Sequence, residues 1–153
     1  MGKYKKLNIM GLIKNLLAGF AGSVALNVLH ETMRKNFSNV PRINLLGEEA
    51  LNKTLFAYGT PIMDKDELHN TTLKADLASN AMYYSLIGGN KHFIWPKAII
   101  LGVSAGVAAL KLPEPMGLNP EPVTRTQQTK ILTVGYYLFG ALVTASVLKA
   151  LSK

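Results

Sequence analysis

The apolar residues of this chain fall into four charge-free blocks, Asn15–Leu29, Leu77–Asn90, Ala98–Leu110 and Ile131–Leu148, with the charged residues between them. Only the last reaches the ~18 residues expected of a membrane-spanning helix. The other three are 15, 14 and 13 residues long and would serve equally as buried helices of a soluble bundle. Two features favour spans. The blocks are rich in small residues: Ala18, Gly19, Ala21 and Gly22; Ala98, Gly102, Ala105, Gly106 and Ala109; Gly135, Gly140, Ala141 and Ala145. In a water-soluble helix each glycine costs about 1 kcal/mol against alanine, whereas membrane helices use small residues to bring backbones together. Lysines also flank the runs (Lys14, Lys91, Lys97, Lys111, Lys149), and their stems lengthen a short span by reaching the headgroups.

The pattern therefore predicts an all-α fold: a single-domain, integral membrane four-helix bundle with membrane helices at about 7–35, 64–89, 96–111 and 125–151. Between the first two, Leu51, Leu55 and Tyr58 form a helical stripe opposite Glu48, Glu49, Asn52 and Lys53. That predicts an amphipathic interfacial helix at about 43–58, too polar to cross. The second membrane helix begins in DKDEL, a capping-box arrangement at Asp64 and Glu67, and turns apolar at Leu77. Asp76, Asn80 and Tyr83 or Tyr84 share one face of it. Pro96 suits the first turn of the third helix, and Thr124 with Gln127 resembles a cap for the fourth. Gly102 and Gly106 form a GxxxG, read as close packing within the chain or as a homodimer face.

Charge placement gives an orientation. All nine acids lie between blocks one and two or between three and four, with nine bases; the N-terminal segment, the second loop and the C-terminus hold the other eight bases, which accounts for the net charge of +8. Short basic segments stay cytoplasmic, so both termini are expected inside, in a multi-pass membrane protein. The basic excess then faces anionic lipid, and the partners expected are the bilayer and another protein or a second copy of the chain, not nucleic acid. MGKYKK before an apolar run has the outline of a secretory signal, yet a retained first helix is the expectation. Lys6 stands where myristoylation prefers Ser or Thr.

One constellation could carry chemistry. His30, Glu31 and Arg34, with Asn27, close the first helix; Asp76 and Asn80 open the apolar part of the second; Arg125 and Lys130, with Thr129 and Thr133, open the fourth. Up-down topology brings these ends together on the non-cytoplasmic side. The structural reading is an ordinary Glu31–Arg34 pair and a cross-helix pair of Asp76 with Lys130 or Arg125. The functional reading is a proton, ion or headgroup site, since ionisable groups inside a membrane are costly to keep. No metal site is read: His30-Glu31-Thr-Met-Arg34 lacks the second histidine of HExxH, and cysteine is absent. His30 and His69 could ligate a haem, but two histidines are more simply satisfied core residues, and no cofactor is assigned. The doublets Tyr83-Tyr84 and Tyr136-Tyr137 read as packed core with bonded hydroxyls in preference to a quinone or pigment pocket. Phosphate loops, nucleophile elbows and dinucleotide fingerprints are missing from the sequence.

Taken together, His30-Glu31-Thr-x-Arg34, Pro41-Arg42-x-x-Leu-Leu-Gly47, Leu112-Pro-Glu-Pro-x-Gly-Leu118 and Arg125-Thr resemble the marks of small bacterial inner-membrane proteins to which no activity attaches. The resemblance implies a shared outward-side network of His30, Arg34, Arg42, Glu114 and Arg125. The role expected is a non-catalytic accessory or scaffolding component of a membrane assembly. The alternatives are an oligomeric transporter or channel using the polar cluster, and an enzyme acting on lipid headgroups there.

Overall fold

A computed structural model describes residues 9–152. Among them the chain is all-helical: α1 (Ile9–Asn36), α2 (Ile43–Ala57), α3 (Lys65–Ser85), α4 (Ile94–Lys111), α5 (Glu121–Thr124) and α6 (Gln127–Ala150). The first two residues expected in helix one, and the basic residues Lys3, Lys5, Lys6 and Lys153 used for orientation, lie outside the described residues.

The helix starts follow local chemistry. Asp64, extended, accepts a 2.8 Å bond from Glu67 N and so caps α3. α6 begins two residues later than expected. Thr126, not Thr124, takes the extended cap conformation and accepts from Thr129 N at 3.0 Å, and the turn upstream becomes the separate α5.

Three helices, α1, α4 and α6, are long and apolar enough to cross a membrane, and less than two-fifths of each apolar stretch is covered by the rest of the chain. Outward-facing Leu17, Phe20, Val28, Ile100 and Ile131 are among the residues left bare. So much continuous exposed apolar surface is not what water tolerates. α3 is 21 residues long, but Lys65, Asp66, Glu67, Lys74 and Asp76 keep its first half polar.

The long helices pack in the order α3–α1–α6–α4, as a bent row in which α3 touches α6 little. α1 holds the middle by having two small-residue faces one position apart. Gly19 meets the Ala81 carbonyl of α3, and Gly22 meets Gly140 and Thr144 of α6 so closely that no Cβ would fit. Ser23 Oγ adds a 3.0 Å bond to Leu77 O. On α4, Ile94, Ala98, Gly102 and Gly106 repeat every fourth residue and are all buried. A Cβ on Gly102 would stand 2.8 Å from Leu138 Cα, so this glycine stripe packs inside the chain, against α6. Tyr84, fully buried, donates to Tyr137 O at 2.8 Å, and Tyr83 donates to Leu101 O at 3.0 Å, tying α3 to α6 and α4.

Both ends of the row are closed. At one, Lys97 Nζ donates to Gly88 O (2.9 Å), Lys91 Nζ to Ser152 O (2.8 Å) and Lys149 Nζ to Lys91 O (2.8 Å), so lysines satisfy the carbonyls past the helix ends. At the other, α2 lies over the helices on a small core of Leu46, Leu118 and Val123. Bonds from Arg42 N to Pro122 O (2.9 Å), from Asn119 N to Glu49 (3.1 Å) and from Lys53 Nζ to Gly117 O (2.9 Å) stitch α2 to the 112–123 segment.

Gly22→Leu is expected to lower the thermal unfolding transition in mild detergent by the equivalent of roughly 1–3 kcal/mol, because neither backbone can yield. Gly135, where an added methyl group would meet nothing within 4 Å, should accept Ala with little change. Equal sensitivity at the two positions would contradict the α1–α6 contact.

Candidate functional site: a polar-walled cavity beneath α2

Where α1 passes its last small residue its inner face becomes Leu26 and His30, and the helices no longer touch backbone to backbone. The space opened there is a cavity of about 450 Å³ between α1, α2 and α3, closed at the back by Tyr137 of α6. Its walls are mostly apolar. Val24, Val28 and Leu73 line it while remaining 37%, 59% and 38% exposed, so the mouth opens sideways, across the apolar flank of α1 and α3.

The polar wall carries groups that the fold leaves unsatisfied. His30 is 7% exposed; its ring stands edge-on to Tyr136 at 6.3 Å between centroids. The Pro41 backbone lies close to the ring, and Nε2 is buried without a hydrogen-bond partner. Thr72, 3% exposed, has its Oγ1 unpartnered. Asn44 donates weakly to Glu48 Oε1 (3.4 Å), and its own Oδ1 is unpartnered. Asp76 lines the cavity half-buried, and among the described residues its carboxylate receives neither a hydrogen bond nor an ion pair. Gly47 makes room for it: a Cβ there would stand 2.9 Å from Thr72 Cγ2 and 3.3 Å from Asp76 Oδ2. Buried polar groups are normally paired, and each of these is costly as it stands.

The remaining charges are accounted for locally. Glu31 holds Arg34 at 2.7 Å and Lys35 at 3.4 Å at the rim. Glu48 holds His69 Nδ1 at 2.7 Å. Asp76 also borders a second hollow of about 250 Å³ on the α4 side, sharing Ile43 and Tyr137 with it. The carboxylate therefore stands between the two spaces, under the α2 backbone.

Of the residues singled out from sequence, His30, Glu31, Asp76 and Asn80 line this one cavity, with Asn27 and His69 beside them. Arg34 reaches it through Glu31. Arg125 and Lys130 stand elsewhere. Arg125 donates to Ser38 O at 3.0 Å and approaches Glu121 at 3.9 Å, while Lys130 is exposed, and neither pairs with Asp76. Arg42 and Glu114 are exposed at the cap. Thr133 is buried and donates to Thr129 O at 2.8 Å within its own helix. Among the described residues no group of three or more His, Asp or Glu stands as a metal cluster. Asn44 and Thr72 carry no sequence signal; they matter only because α2 folds back over α3.

Compared with protein-family models, curated proteins and solved structures, the chain matches none.

Asp76→Asn is expected to leave the thermal transition unchanged or to raise it by up to the equivalent of about 1 kcal/mol, since it removes a poorly solvated, unpaired charge. A fall of ~3 kcal/mol, the usual cost of breaking a buried ion pair, would mean that Asp76 has a cationic partner after all.

Proposed function

We propose that this protein crosses a membrane four times, with α3 as the fourth span, and serves there as a non-catalytic accessory component whose outward-side cavity holds an amphiphilic molecule. The observation that carries the reading is the cavity itself: unpartnered polar atoms at its back and exposed aliphatic side chains at its mouth. α3 runs beside α1 along its length, so a bilayer that encloses α1 also encloses the apolar half of α3. Its charged first half would then stand at the outer boundary, beneath α2 lying in the interface.

Lysines gathered at the Lys14, Lys91, Lys97 and Lys149 end support a cytoplasmic placement for that end. A conducting pathway through one copy finds little support, because below the cavity Gly19, Gly22 and Gly140 bring α1 against both neighbours. The cavity is a pocket with a lateral mouth. Its polar lining favours holding a ligand: among the described residues no hydroxyl is hydrogen-bonded to His30 Nε2 as a nucleophile would be.

The chain has no cysteine of its own, which makes single-cysteine labelling clean. In intact cells an impermeant maleimide should label Glu114→Cys and reach His92→Cys only after permeabilisation. Labelling of both from one side would overturn the four-span topology. Recovery of the protein in the soluble fraction would overturn the membrane reading. Purification in mild detergent is expected to retain a second polypeptide, as an accessory role requires.

A further inference from the structure

We propose that the cavity under α2 receives a primary ammonium group carried by a membrane lipid. This deepens the reading above and rests on it. Among the described residues, Asp76 is the lining acid without a counter-charge, and behind the lining His30 Nε2, Asn44 Oδ1 and Thr72 Oγ1 are buried without partners. A carboxylate accepts several hydrogen bonds, and a primary ammonium group offers three donors on one atom. It also brings the positive charge that Asp76 lacks, and a charge-assisted bond gains most where water is scarce.

The charges around the cavity make the same point. The lining holds two carboxylates, Glu31 and Asp76, two histidines, His30 and His69, and no Arg or Lys; Arg34 and Lys35 stand beside it on Glu31, and Glu48 beside it on His69. Both fixed cations are on Glu31 at the rim, and His69 is on Glu48; the acid without a counter-charge is the one inside. The distribution fits a head whose ammonium group points in toward Asp76 and whose phosphate lies out near Arg34 and Lys35. The mouth past Val24, Val28 and Leu73 lets acyl chains leave along the flank of α1 and α3, which an amine free in water would not need.

The test is native mass spectrometry of the full chain in mild detergent. It is titrated with phosphatidylethanolamine, phosphatidylcholine and phosphatidylglycerol of identical acyl chains, and separately with soluble butylamine. Phosphatidylethanolamine is expected to bind roughly tenfold tighter than the other two lipids, one charge-assisted bond's worth. Asp76→Asn, which should fold, is expected to erase that preference without abolishing residual lipid binding. Val28→Trp, placed at the exposed mouth, should weaken all three lipids alike. Equal affinity for the three lipids in the wild-type protein, or a preference that survives Asp76→Asn, overturns the proposal. So does binding of butylamine with no preference among lipids, which would assign the site to a soluble amine. Each of these would leave the labelling topology intact, so failure of the ligand assignment is separable from failure of the membrane reading.

Discussion

The structure depends on α1 touching two helices at once with almost no side chain between. Along α1 the buried positions Ala18, Gly19, Gly22, Ser23, Leu26 and His30 form two adjoining stripes, one turned to α3 and one to α6. Helices that approach this closely gain dispersion contacts along the whole backbone, which inside a bilayer replaces the hydrophobic drive available in water. α4 repeats the device on the far side of α6 through Ala98, Gly102 and Gly106. A row of four helices joined this way leaves most apolar side chains facing outward, which is coherent only if the surroundings are apolar too.

The same device explains the cavity. A seam built of small residues is tight only while the small residues last. Beyond Ser23 the α1 seam runs into Leu26 and His30, the α3 seam into Asp76 and Thr72, and the helices can no longer close. α2 then acts as a cover, with Gly47 as the point where it comes down on Thr72 and Asp76. Tight packing in one half and a roofed hollow in the other follow from one change in side-chain size along two helices.

Much of this is legible in the sequence. The charge-free blocks and their small residues mark α1, α4 and α6; α2 spans the expected range but buries Leu46, while Tyr58 of the expected stripe is exposed. His30, Glu31, Asp76 and Asn80 can be placed together from helix direction alone. What cannot be read is which charges meet. Arg125 and Lys130 are on the right end of α6, but helix phase turns Lys130 to solvent, and the loop after α1 claims Arg125 through Ser38. Asn44 and Thr72 are invisible in the sequence because their role depends on the tertiary return of α2. The cap of α6 falls two residues beyond its expected place because Thr124 and Thr126 are equally good candidates by type; the backbone of the Pro120–Pro122 turn decides between them.

Among the described residues the Asp76 carboxylate has no hydrogen-bond or ionic partner, and that changes what kind of residue Asp76 is. A paired carboxylate would be a packing device, replaceable by two apolar residues at little loss. An unpaired one, half out of solvent, is expected to make the folded chain less stable than an Asn would. Residues that cost stability and return none within the fold are what a site built for a ligand contains, because the compensating donors arrive with the ligand. On the proposed reading the Asp76 carboxylate answers to a ligand at the Val24–Val28 mouth, since among the described residues the helices offer it no hydrogen-bond or ionic partner.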